Sequence, residues 1–171
     1  SGYSTCSWNN LSEVKNYESL LIDRYSIPNI KNSITEVKKS GVFVVQAGYE
    51  YPIDYEIDFL VVSKDEIDVI EAENLLNNNL VSRILLTHSN LPARLISKEG
   101  AVEITPPDFK TINATGAGDV TAAYIAANGV DDIISTIKSA CAAGAILAGT
   151  TELPTLEKIS EISELVDVTP R

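Results

Sequence analysis

The chain has 171 residues, 44% of them hydrophobic and 22% charged, and a formal net charge of −11. Such a length and composition fit one globular domain with a single core, and no apolar run approaches the roughly 18 residues that span a bilayer. The acidity argues against nucleic acid as a partner, because phosphate backbones select basic surfaces.

No signal peptide pattern opens the sequence, and Cys6 and Cys141 stand far apart without metal-ligand spacing, so the cytoplasm is the expected compartment. Residues 1–18 are polar and stay unassigned; the chain lacks Met and opens Ser-Gly, as expected of a fragment or a processed chain. Residues 19–171 read as one α/β domain. Residues 19–25 form a short apolar run ended by the turn signal at Pro28, a buried strand. Residues 32–40 carry Ile34 and Val37 at helical spacing, with Ser33 and Glu36 as a capping box and Gly41 as the stop. Val42-Phe43-Val44-Val45-Gln46 is the clearest strand, β-branched and continuous as the centre of a parallel sheet requires. A loop over residues 48–58 carries Tyr49, Tyr51 and Tyr55 beyond that strand's carboxyl end, the side on which open α/β sheets bind ligands.

Residues 58–63 give a third strand and 64–77 a helix, with Ser63 as N-cap and Glu66 as the acid of a capping box. Residues 81–87 are a fourth strand. Residues 94–97 and 101–104 then pair as a hairpin around Lys98-Glu99-Gly100. His88, the lone histidine, reads as solvated. Pro106-Pro107 is an extended link.

Next comes Asn113-Ala114-Thr115-Gly116-Ala117-Gly118-Asp119, running straight into the apolar stretch Val120-Thr121-Ala122-Ala123-Tyr124-Ile125-Ala126-Ala127. The glycines permit a tight turn and close approach to the backbone. Free N–H groups and the positive end of a helix dipole suit a phosphate or a developing anion. An Asp on the first turn can take a proton from a hydroxyl. Together these features point to phosphoryl transfer to an alcohol. A second helix starts at Asp131 or Asp132, with Ile133, Ile137, Ala140, Cys141, Gly144 and Ala145 in helical period. A turn over residues 149–154 leads to a last helix at residues 156–166. The alternation of strands and helices implies a parallel sheet covered by helices.

The heptad 113–119 resembles the Asp-Thr-x-Gly-Ala-Gly-Asp signature of the ribokinase-like (PfkB-type) carbohydrate and nucleoside kinases. Residues 20–165 resemble that family's C-terminal half. The resemblance implies an α/β three-layer sandwich with a mainly parallel sheet, the N-terminal lid not being evident. It implies transfer of the γ-phosphate of ATP to a hydroxyl of a sugar or nucleoside, with Asp119 as general base and Gly116, Ala117 and Gly118 as an anion hole. Mg²⁺ would accompany ATP, ordered through water by Glu66, which stands at the Glu of the family's Asn-x-x-Glu, with Ser63 at the Asn position. Thr87, Ser89, Thr115 and Ala142 would contact the nucleotide. The family's Thr-x-Gly-x-x-Gly is here Thr87-His88-Ser89-Asn90-Leu91-Pro92, both glycines replaced, and its first signature Asp is Asn113, so a K⁺ requirement is not implied. A homodimer is within the family's range. The rival reading, a non-catalytic regulatory or partner-binding relative, rests on those departures and on the missing lid.

Overall fold

Continuous runs of β-branched residues need apolar cover on both faces of a sheet, and the central strands here receive it. Val44 and Val45 are both fully buried, yet they belong to different cores. The computed structural model describes residues 14–88, 91–107, 109–129 and 131–170. Its seven-stranded sheet runs in chain order: β1 (Ser19–Asp23), β2 (Phe43–Ala47), β3 (Ile57–Ser63), β4 (Val81–Thr87), β5 (Ala93–Ser97), β6 (Gly100–Thr105) and β7 (Asp167–Pro170). Strands β1 to β4 are parallel and β4 to β7 antiparallel. The sheet is open and mixed, and its parallel half carries the candidate site.

Helices α1 (Ile27–Lys39) and α2 (Val69–Asn77) cover one face. Ile34, Val37, Leu75 and Leu76 pack there with Val44, Leu60, Ile84 and Leu86. Helices α3 (Ala117–Asn128), α4 (Ile133–Thr150) and α5 (Leu156–Ser163) form the other layer. Ala122, Ile125, Ile137 and Ala140 meet Val45, Phe59, Val61 and Leu85. The result is the three-layer α/β sandwich that the strand–helix alternation implies.

Four expectations need correction. Helix α1 starts at Ile27, six residues before the capping box at Ser33 and Glu36, both of which lie inside it. The Asp23 carboxylate closes the turn before it, accepting the N–H groups of Tyr25 (2.8 Å) and Ser26 (3.0 Å); Ser26 is the N-cap, without a side-chain cap bond, and Pro28 sits in the first turn, where a missing N–H costs nothing. Helix α2 starts at Val69 with Asp68 as N-cap; Ser63 to Ile67 form a separate turn, closed by Glu66 N–H on the Ser63 carbonyl at 2.9 Å. The last helix stops at Ser163, and residues 167–170, read as part of no element, form β7 along the edge of β6. Finally, α4 is long and apolar enough to cross a membrane by length and composition alone. Here it packs one side inward, its Ile137, Ala140, Cys141, Ala142 and Ala143 buried among α3, α5 and the sheet, while Ile134 and Ser135 are exposed.

Candidate active site

The carboxyl ends of the parallel strands finish almost level, because the register sets Asp23 beside Ala47, Ala47 beside Val61, and Ser63 beside Thr87. The side chains and loops that leave this edge therefore share one rim. A cleft of about 390 Å³ opens there, lined by Leu21, Asp23, Tyr25, Ala47 and Asp119. Asp119 thus faces the strand ends across open space, although it belongs to a helix on one face of the sheet.

Helix α3 reaches that position through its start. Gly116 is left-handed (φ 82°), a conformation that glycine adopts without strain, and it contributes no side-chain cap. The loop before it is tied to α4, with the N–H groups of Ile112 and Asn113 both donating to the Ala148 carbonyl, at 2.8 and 3.0 Å. The Asn113 side chain accepts from Thr115 N–H at 2.9 Å. Behind the turn, Thr121 Oγ1 donates to the Ala117 carbonyl (2.9 Å) and lies 3.3 Å from the Ala140 carbonyl. Gly144 makes this approach feasible: a Cβ there would stand 2.5 Å from Thr121 Oγ1 and 3.0 Å from the Ala117 carbonyl oxygen. Small residues on α3 and α4 therefore fix the signature turn from behind.

The N–H groups left without a protein acceptor at this turn differ in one member from the expected set Gly116, Ala117 and Gly118. Ala117 N–H is directed to the Ala114 carbonyl at 3.2 Å and Val120 N–H to Gly116 at 2.9 Å. Among the described residues, the N–H groups of Gly116, Gly118 and Asp119 have no protein acceptor. Asp119 and Gly118 are exposed, as is Thr115. An anion at this end would meet N–H groups and the helix dipole with a carboxylate beside them.

Glu66 sits on the turn after β3. Its Oε2 accepts Ser63 N–H at 3.1 Å and its Oε1 pairs with Arg24, while Ser63 Oγ accepts from Asp65 N–H at 3.2 Å. Thr87 is next to it, its hydroxyl on the Val62 carbonyl at 3.2 Å. Asp119, Glu66 and Thr87 are therefore on one rim. Ala142 is not: it is fully buried in the α3–α4 core and offers no surface to a nucleotide, so the small residues of that helix serve packing. Ser89 lies outside the described residues.

Sequence reasoning missed Arg24 and Tyr25. The available signal was a polar Asp-Arg-Tyr directly after a buried parallel strand, at the ligand-binding end of the sheet. The Arg24 guanidinium is held more firmly protonated than usual, first by its bond to the Tyr25 hydroxyl and then by the charge of Glu66. It also missed a buried polar pair: the Tyr55 hydroxyl donates to Gln46 Oε1 at 2.9 Å and Gln46 Nε2 to the Gly48 carbonyl at 2.9 Å. This pair satisfies the only buried amide of β2 and pins the aromatic loop beyond it. Burial pushes the Tyr55 hydroxyl to a higher pKa than usual.

Residues 44–157 match the family model described as pfkB family carbohydrate kinase. No curated protein matches the chain. Among solved structures, the chain is similar to a Staphylococcus aureus protein described as a phosphofructokinase, with 23% identity and a TM-score of 0.75 over 98% of this chain and 63% of that one. It is also similar to Arabidopsis thaliana ribokinase complexed with ribose and ATP (18% identity, TM-score 0.76, 92% of this chain and 59% of that one). A third is phosphofructokinase-2 from Escherichia coli in complex with potassium (16% identity, TM-score 0.73, 90% and 60%). The chain therefore spans less than two thirds of the length of these solved relatives.

Proposed function

This chain belongs to the pfkB family of carbohydrate kinases, and from that premise we propose that it moves the γ-phosphate of ATP to a hydroxyl of a sugar or nucleoside. The observation that carries the proposal is the start of α3, where unclaimed N–H groups at Gly118 and Asp119 stand beside an exposed carboxylate facing a cleft.

In this reading the acceptor hydroxyl lies in the cleft within reach of Asp119. As its oxygen bonds to the γ-phosphorus, the hydroxyl proton passes to the Asp119 carboxylate and ADP leaves with the bridging oxygen. The Gly116, Gly118 and Asp119 N–H groups hold the phosphoryl oxygens as charge develops on them. Thr87 and Thr115 line the nucleotide side. The donor set fits Mg²⁺ held with the nucleotide: Mg²⁺ uses one or two carboxylates plus phosphates rather than a protein cage, and Glu66 is a part-exposed carboxylate on this rim. When bound, the ion neutralises charge on the transferring phosphoryl group.

The non-catalytic alternative draws on Pro92, which has no N–H to offer where the related kinases have glycine. Acceptor-dependent consumption of ATP, measured with Mg²⁺ against a panel of sugars and nucleosides, separates the two. Turnover with any member supports the kinase. Tight binding of Mg·ATP without turnover across the panel points to a missing acceptor half, and no binding of Mg·ATP at all replaces the kinase with the non-catalytic relative.

A further inference from the structure

Arg24 takes no part in the chemistry above, yet it is held at several points beside it. One nitrogen, Nη1, pairs with Glu66 Oε1; the other, Nη2, donates to the Tyr25 hydroxyl at 2.9 Å. The guanidinium carbon lies 4.9 Å from the centroid of the Tyr25 ring, a cation–π distance. Its backbone N–H bonds to the Ala47 carbonyl at 3.1 Å. The stem passes over Gly48 (φ +80°), where a Cβ would stand 3.1 Å from Arg24 Cδ. Gly48 is itself pinned, its N–H on the Val61 carbonyl at 2.8 Å. The chain thus leaves a glycine at the end of β2 for the arginine to cross on its way from β1 to the turn after β3.

Glu66 has two oxygens, and both are occupied: Oε2 by Ser63 N–H and Oε1 by Arg24. A metal-bound phosphate approaching this carboxylate must compete with the guanidinium for Oε1. The pair is open to such competition, with side-chain exposures of 38% for Arg24 and 26% for Glu66. A guanidinium displaced from a carboxylate is a planar fork that matches phosphate oxygens equally well. The exchange replaces one contact between opposite charges with two, carboxylate to metal and guanidinium to phosphate. Tyr25 keeps the fork beside the Asp119 cleft, whose wall it forms.

We infer that Arg24 is a positioning residue for the nucleotide: it occupies the Glu66 carboxylate until a magnesium-bound nucleoside polyphosphate arrives, then exchanges that carboxylate for a phosphate oxygen. The inference rests on the kinase reading and deepens it.

Calorimetric titration of ATP, with and without Mg²⁺, tests it on the wild type and on Arg24→Gln, Arg24→Lys, Glu66→Gln and the Arg24→Gln/Glu66→Gln pair. Arg24→Gln weakens Mg-free ATP by about tenfold, the scale of one charge-assisted hydrogen bond, and lowers the Mg²⁺ concentration that half-saturates ATP binding. Glu66→Gln does the reverse to Mg-free ATP, because it frees the guanidinium, and it flattens the Mg²⁺ dependence. Arg24→Lys keeps the charge without the fork and recovers part of the affinity, which also serves if the Gln variant melts early. In the double variant the Arg24 effect on Mg-free ATP persists; its disappearance would mean that Arg24 acts only by packing Glu66. If Arg24→Gln binds ATP like the wild type at every Mg²⁺ concentration, the exchange is wrong and the kinase reading stands. A wild type that binds no Mg·ATP removes both.

Discussion

Helices α2 and α3 both begin near the rim, and they begin in opposite ways. At α2, Asp68 is extended and its carboxylate accepts Glu71 N–H at 2.8 Å, while Glu71 accepts the Tyr49 hydroxyl at 2.7 Å. Helices α4 and α5 close likewise, through Asp132 on Ser135 N–H and Thr155 on Lys158 N–H. At α3 a left-handed Gly116 supplies no cap, and its first-turn acid is turned to a cleft. A side-chain cap contributes about 1 kcal/mol. Leaving it out is tolerable only where tertiary packing holds the turn, which is what Gly144, Thr121 and the Ala148 carbonyl do. Helix α1 also lacks a cap from Ser26, but Pro28 stands in its first turn; the starts of α2, α4 and α5 close on themselves, and that of α3 opens on the cleft, where an anion can reach it.

That contrast can be broken most sharply at its acid. Asp119→Asn should lower acceptor-dependent ATP consumption by roughly 10²- to 10⁴-fold, the usual worth of a general base, with Mg·ATP binding and the melting curve nearly unchanged. Retained turnover in that variant would remove Asp119 from the chemistry.

Support from behind comes next. Gly144→Ala drives a methyl into Thr121 Oγ1 and the Ala117 carbonyl, and should cost about 1–3 kcal/mol as overpacking. Because the displaced carbonyl belongs to the signature turn, stability in urea and ATP affinity should fall together. An unaffected affinity would mean that the turn is held elsewhere.

Asp68→Ala is the matching test on the closed helix: about 1 kcal/mol of stability lost and no change in transfer. A large loss of activity would erase the distinction between the two starts.

The smallest expected effect concerns pH. Burial pushes the Cys141 thiol up to about 12 from an ordinary 9.0. The folded state therefore keeps a proton that the unfolded chain releases above pH 9, so this contribution is intact below pH 9 and declines as pH rises toward 12. Cys141→Ala should flatten that part of an alkaline stability profile, and native Cys141 should resist alkylation at pH 8.

The sequence revealed what is local. Strands β2 to β4 announce themselves through β-branched runs, and the signature heptad carries its own turn, anion site and acid. Residues with two meanings misled. Pro28 is as good in the first turn of a helix as in a loop turn, so the sequence pattern places the start of α1 too late. Alanines and glycines on α4 allow close approach either by a ligand or by another helix, and at Ala142 the helix won. What stayed invisible depends on distant partners. Arg24 gains its role from Glu66, 42 residues away, and β7 is a strand only because the edge of β6 pairs Glu103 with Thr169.

The sheet's spatial order is also its order of synthesis. Each strand from β2 to β6 needs only the strand just made as its template, so loop closures are short and their entropic cost grows little from step to step. A chain leaving the ribosome can lay the sheet down strand by strand from β1 to β6. β7 breaks the rule, since three helices intervene before it reaches β6. Its docking waits on those helices, and the rim where Asp119 meets the strand ends forms only after α3 has found the face left open for it.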